Sequence, residues 1–168
     1  MEMPIKVRGN AVVTFGDVAT VRAAAPTWCN DAFVAAMCKA VHALHVDVVR
    51  EMCQLAAQSD LDLGPWDDGN SIMSPLIAAA TVGQVAMVRC LCELPAHCHA
   101  YDQQQAIKAV TKAAKHGHLG VVKYLYDLAP QRGVDLSTFA LGPATQFGQL
   151  DVLKYLCEAK HGLEAAGE

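Results

Sequence analysis

The clearest alternation of apolar and polar positions runs from Ser74 to Leu94, SPLIAAATVGQVAMVRCLCEL. Leu76, Ala79 and Ala80 fall at i, i+3 and i+4, one face of a helix. Ser74-Pro75 opens that helix, since serine can cap an N-terminus and proline fits the first helical position, where its missing N–H would be unpaired anyway. Gly83 supplies the left-handed conformation that ends it. Val85, Val88, Leu91 and Cys92 then make a second stripe at helical spacing. Neither stripe is long enough to be stable alone, so the pair predicts a helical hairpin that needs neighbours.

Four further copies of its second half supply them. GDVATVR at 16–22, LHVDVVR at 44–50, GHLGVVK at 117–123 and GQLDVLK at 148–154 align with GQVAMVR at 83–89. The turn residues are 28, 39, 34 and 31 residues apart, a mean of 33. A period in this range predicts a solenoid of stacked hairpins. Residues 1–25 read as a degenerate first unit, with Val18, Val21 and Ala24 as its second stripe. Asn30 or Asp31 is placed to cap a helix through Lys39, with Phe33, Met37 and Val41 on one face. Leu44 stands where the other copies have glycine, which predicts a reshaped turn there. A helix over 46–57 follows, then a long connector over 59–73 whose Gly-Pro and Asp-Gly pairs mark tight turns. Further helices are predicted over 103–114, 137–147 and 150–160, with Gly162 as a closing cap residue.

Ser74-Pro75-Leu76-Ile77-Ala78-Ala79-Ala80 resembles the T-P-L-H-x-A-A signature of the ankyrin repeat, and Gly83-Gln84-Val85 through Leu91 resembles its G-H-L-x-x-V-x-x-L second helix. Gly117-His118-Leu119 matches the G-H-L letter for letter. The likeness covers nearly the whole chain. It departs in the first helices, where Lys108-Ala109-Val110 and Phe139-Ala140-Leu141 replace T-P-L and no unit has the signature histidine. The resemblance implies an all-α fold, an ankyrin-repeat α-solenoid of stacked helix-turn-helix units with short projecting loops. Its five units are expected at about 1–29, 30–68, 69–102, 103–134 and 135–168. It also implies binding of a partner protein on a concave side made by the loop tips and the exposed ends of the first helices. Mapped onto this chain, the tips are Trp66, Asp67, Asp68 and Asn70, then Tyr101, Asp102, Gln103 and Gln104. The pairs before the turns are Thr14-Phe15, His42-Ala43, Thr81-Val82, Lys115-His116 and Gln146-Phe147. Trp66 and Phe147 are the expected anchors, since buried aromatics within a polar rim dominate binding energy.

Composition narrows this little. Apolar residues make up 53% of the chain, and alanine clusters at 23–25, 35–36, 78–80 and 113–114 suit closely packed helices. A net charge of −4 and a pI near 5.9 give no basic excess for nucleic acid. Seven cysteines, an odd number spread through helical patterns, read as buried thiols in a reducing compartment, cytosol or nucleus. No secretory h-region follows the N-terminus and no apolar run is long enough to span a bilayer, so membrane insertion is not expected.

Three clusters invite chemistry. Cys90, Cys92, His97, Cys98 and His99 carry zinc-type donors, which makes a zinc-binding module one alternative. Yet Cys90 and Cys92 point to different faces of a helix, and Cys92 shares a stripe position with Cys53 and Cys157, where a thiol packs as a small hydrophobe. Asp60, Asp62, Asp67, Asp68 and Asn70 suggest a calcium loop, but counted from Asp60 the sixth position is Pro65 rather than glycine and the twelfth is Ser71 rather than glutamate. Arg22, Arg50, Arg89, Lys123 and Lys154 recur once per unit and predict a basic row along the second helices. No nucleophile elbow, zincin, phosphate-loop or dinucleotide motif is present, so the expectation is a non-enzyme without metal or cofactor. A structural place in a larger assembly or a longer ankyrin protein is the remaining alternative.

Overall fold

The computed structural model of the chain describes residues 18–24, 28–59, 61–63, 66–67, 72–95, 101–133, 136 and 138–165. Its plan follows from four turns. Leu44, Gly83, Gly117 and Gly148 have φ of 62°, 82°, 75° and 67°. Each follows an alanine by four residues, and that alanine's carbonyl accepts a bond from the residue after the turn. The distances are 3.0 Å from His45 to Ala40, 3.3 Å from Gln84 to Ala79, 2.9 Å from His118 to Ala113 and 2.8 Å from Gln149 to Ala144. A helix C-terminus leaves carbonyls unpaired, and a left-handed residue folds the next N–H back onto one of them. All four alanines are fully buried, so the same small residue lets the chain close and the helices approach.

The turns join helices into hairpins. Asn30–His42 (α2) and Val46–Gln58 (α3) meet across Leu44, and Pro75–Val82 (α4) and Val85–Cys92 (α5) across Gly83. Gln103–Lys115 (α6) and Leu119–Leu128 (α7) meet across Gly117, and Leu141–Gln146 (α8) and Leu150–Ala165 (α9) across Gly148. Val18–Ala24 (α1) precedes them. Helices α2, α4, α6 and α8 pack in that order as a front layer, and α1, α3, α5, α7 and α9 as a back layer. The fold is all-α apart from Trp66–Asp67 (β1) and Ile72–Met73 (β2), an antiparallel pair in which Trp66 faces Met73 and Asp67 faces Ile72. That pair lies within the long connector.

One continuous core runs between the layers. Phe33, Met37, Leu76 and Val110 from the front meet Met52, Met87, Leu91 and Leu125 from the back, all fully buried. Each large side chain contributes roughly 1.5–3 kcal/mol by leaving water, as an upper bound against a compact unfolded chain. Valines and alanines fill much of the rest, the alanines at 36, 40, 56, 78–80, 106, 109, 113, 114, 129, 140 and 144.

Five expectations are corrected. Leu44 does not reshape its turn; it takes the left-handed conformation itself. Neither Asn30 nor Asp31 caps α2. Cys29 holds that position, and the Asn30 amide pairs with the backbone of Asp62, donating to its carbonyl at 2.8 Å and accepting from its N–H at 3.0 Å. The Ser74 side chain makes no capping bond. Its hydroxyl donates to the Gln105 side-chain oxygen in the next hairpin, and both residues are buried. Helix α8 begins at Leu141 rather than Ser137, because Pro143 has no N–H to give and its ring excludes a preceding helical turn. Helix α9 continues to Ala165, so Gly162 lies within it.

Candidate functional site

The turn edge is built by side chains that cross from one hairpin to the previous one. Nε2 of His118 lies 2.9 Å from the Thr81 carbonyl, and the Gln149 amide donates to the Lys115 carbonyl at 3.1 Å. Thr81 and Lys115 each sit two residues before a turn glycine, where an α-helix leaves carbonyls unpaired. Because a carbonyl can only accept, His118 carries its proton on Nε2. These crossings also explain two glycines. A Cβ on Gly83 would strike the His118 ring, and one on Gly117 would strike the Gln149 amide, whereas Gly148 has nothing within 4 Å.

The back layer carries a second set of crossings. The Arg22 guanidinium grips Glu51 with two bonds, 2.6 Å from Nε and 2.8 Å from Nη2. The Arg89 guanidinium lies 5.5 Å from the centre of the Tyr124 ring, and Lys123 Nζ lies 5.3 Å from that of Tyr155. Each contact joins the basic residue of one unit to the residue after the basic position in the next. Arg22 holds the Glu51 carboxyl below its ordinary range, chiefly through the hydrogen bonds. Burial, then Asp127, raises the Tyr155 hydroxyl. The predicted basic row is therefore engaged in joining hairpins at Arg22, Arg89 and Lys123. Arg50 reaches back to Asp47 at 3.6 Å.

The front layer is most exposed along α6 and α8. On α6 the exposed positions Gln103, Gln104, Lys108 and Lys112 lie opposite a buried stripe of Gln105, Ala106, Ala109, Val110, Ala113 and Ala114. Asp102 caps this helix, accepting from Gln105 N–H at 2.7 Å. Lys115 is half-buried with its Nζ 4.6 Å from the centre of the Phe147 ring, which is 45% exposed. Gln146 is exposed beside it. His116 is exposed, and its ring stacks against His118 at 6.0 Å between centroids. Burial first, then the neighbouring His118, Lys115 and Lys112, push the His116 pKa below its ordinary value.

The structure thus brings Lys115, His116, Gln146 and Phe147 together along one edge. Thr81 and Val82 lie on the same edge of α4, half-buried, and the Thr81 hydroxyl bonds the Ile77 carbonyl at 2.8 Å. Tyr101 is half-buried and packs on the core. Trp66 and Asp67 are described as strand backbone, while Asp68, Asn70, Thr14 and Phe15 lie outside the described residues. Of the proposed zinc donors, Cys92 is buried in the core and Cys90 is half-buried, while His97, Cys98 and His99 lie outside the described residues. No group of three His, Cys, Asp or Glu that could hold a metal occurs among the described residues.

Both sets of crossings have a sequence signal. Aligned on the turns, the next column reads Asp17, His45, Gln84, His118 and Gln149, mostly long side chains able to bond a carbonyl. The column after the basic residue reads Ala23, Glu51, Cys90, Tyr124 and Tyr155, which offers a carboxylate or a ring in three of five units. Compared with known proteins, the chain matches no family model, no curated protein and no solved structure.

Proposed function

We propose that this chain is a non-catalytic protein-binding module, an ankyrin-like array that receives a partner protein on its front layer and turn edge. The observation that carries the reading is the division of labour between the layers. Back-layer arginine and lysine side chains are engaged in joining hairpins, while the front of α6 and the edge around Phe147 present side chains to solvent on a rigid alanine-packed frame. A fixed frame with independently variable surface positions suits recognition. Phe147 under Lys115 supplies an aromatic anchor with a polar surround. Cross-linking mass spectrometry of the protein in native extract tests this. Links should concentrate on Lys108, Lys112 and Lys115, and Phe147→Ala should reduce them while helical circular dichroism is kept. Links concentrated on Lys123 and Lys154 would move the site to the back.

A second reading, a place in a larger assembly, is favoured by the last hairpin. Leu141 is 42% exposed, although its counterparts seven residues before the other turns, Met37, Leu76 and Val110, are fully buried. Leu150 is 68% exposed where Val46, Val85 and Leu119 are half-buried. This face offers what inner hairpins cover with a neighbour. Light scattering against concentration decides it: self-association abolished by Leu150→Lys supports assembly through this end, and a monomer at every concentration removes self-assembly from the reading.

A further inference from the structure

Charge is distributed on the front layer against the sign of the whole chain. The protein carries a net −4. Yet the described surface of α2, α4, α6 and α8 away from the back layer carries Lys39, Lys108, Lys112 and Lys115. Lys39 and Lys112 occupy the same place in their units, five residues before the turn. Lys108, Lys112 and Lys115 lie at i, i+4 and i+7, one stripe of α6. The acidic groups of these helices sit at the opposite end, Asp31 in the first turn of α2 and Asp102 at the α6 cap, where its carboxylate already serves Gln105 N–H. Helices α4 and α8 carry no charged residue. Among the described residues the ion pairs are Arg22–Glu51 and Arg50–Asp47, and none of the four lysines takes part.

Between Lys39 and the α6 stripe lies an uncharged floor. Along α4 it is formed by the half-buried Ile77 and the C-terminal Thr81, whose hydroxyl is turned back on its own helix. Beyond the stripe stand Phe147, held against Lys115, and the exposed Phe139. Lysines flanking an uncharged floor, with no ion-pair partner among the described residues, are left for a ligand of opposite sign.

We infer that the front layer docks an acidic protein segment, with carboxylates facing Lys39 on one side and Lys108, Lys112 and Lys115 on the other, and apolar side chains on Ile77 between them. The inference rests on the front layer being the binding surface and adds the chemistry of what binds. A peptide fits better than nucleic acid. Asp31 and Asp102 stand at the other end of the same helices, and the whole chain is negative, so a continuous row of phosphates running on past the four lysines would meet repulsion.

Selection from a library of random 12-residue peptides displayed on phage tests it without presuming a partner. The enriched peptides should carry net negative charge with interspersed apolar residues. Their affinity should fall steeply with added salt, since screening shortens from about 10 Å at 0.1 M to about 3 Å at 1 M. The triple variant Lys108→Gln, Lys112→Gln, Lys115→Gln should bind them about tenfold more weakly, the sum of three exposed pairs. The control triple Arg50→Gln, Lys123→Gln, Lys154→Gln should bind unchanged. Neutral or basic peptides whose binding is still lost on Phe147→Ala would overturn the acidic inference and leave the front-layer reading standing. Peptides indifferent to the front triple and to Phe147→Ala would overturn both. A 20-base-pair DNA duplex that displaces the best peptide at equal salt would also overturn it, in favour of nucleic acid.

Discussion

Gly83 and Gly148 give a controlled comparison of how the hairpins are joined. Both are left-handed, with φ of 82° and 67°. A Cβ at Gly148 would meet nothing within 4 Å, whereas one at Gly83 would lie 2.6 Å from Cγ and 2.7 Å from Cε1 of His118. Gly148→Ala therefore isolates the backbone. Left-handed geometry costs an L-residue about 1–2 kcal/mol. The smaller entropy of the unfolded alanine chain offsets about 0.4–1 kcal/mol. The expected net loss is about 0.5–1 kcal/mol. Gly83→Ala carries the same loss and also expels the His118 ring. That breaks the 2.9 Å contact with the Thr81 carbonyl, a hydrogen bond worth about 1 kcal/mol. The expected total is about 2 kcal/mol.

The cycle with His118→Ala separates the two parts. In that background the new methyl group has room and there is no bond to lose, so Gly83→Ala should fall back to the Gly148→Ala value. The coupling should be about 1 kcal/mol, within the range for contacting residues. Urea unfolding followed by far-UV circular dichroism measures it, with unchanged m-values required before midpoints are read as stability. Equal losses at the two glycines would refute the steric account. An undiminished Gly83 loss without His118 would refute the crossing as its cause. The same column supplies the converse. Leu44 holds φ 62° with its side chain about half exposed, so Leu44→Gly should stabilise the protein by about 0.5–1 kcal/mol.

Other consequences follow from single sites. Ala113→Leu forces an isobutyl group into a fully buried position whose carbonyl anchors the α6 turn; it should cost about 1–3 kcal/mol by urea unfolding, and a neutral result would mean that the layers can separate at no cost. Glu51 titrates below its ordinary 4.5 in the folded chain, so its contribution is present above that pH and is lost as pH falls through the lower folded value. The stability gap between wild type and Arg22→Gln should therefore be full near neutrality and shrink in acid, and a gap independent of pH would refute the pairing. Burial pushes the Cys38 thiol up to about 12, so a maleimide at neutral pH should modify exposed Cys29 and Cys157 in the native protein and leave Cys38 unmodified until it unfolds. Labelling of Cys38 at the rate of Cys29 would show that the core opens there.

The second halves of the hairpins were the most legible part of the sequence. Their signal is a column of turn residues followed by an apolar stripe, and all four described turn residues fall on the expected positions. The starts of the first helices were less legible, because competing local bonds decide them. Asn30 is a good capping residue by type, yet it bonds the Asp62 backbone 32 residues away, and the Ser74 hydroxyl is used by Gln105. Propensity cannot see a partner brought close by stacking. Leu44 misled for a related reason. The column fixes the backbone conformation, and three sound neighbouring turns outweigh a strain of one or two kcal/mol at the fourth. Within the candidate site, Lys115, His116, Gln146 and Phe147 were found by counting back from the turns. The crossings beneath them are not visible in any single column, because each depends on which residue of the next unit the side chain touches.

Contacts between units also change what a repeated surface residue means. A residue type that recurs in every unit looks like a repeated binding feature, and the basic row of Arg22, Arg89 and Lys123 has that appearance. Recurrence is also what a repeated scaffold contact produces, and here each of the three meets a carboxylate or a ring in the next unit. The column five residues before the turn behaves differently. It reads Lys39, Ala78, Lys112 and Pro143, changes character from unit to unit, and includes two exposed lysines outside the described ion pairs. In a stacked array, contacts between units constrain a column, and freedom from them lets it vary. Variable positions that are exposed and free of such contacts are therefore better evidence of recognition than regular ones, and Lys39 and Lys112 are two of these on the front layer.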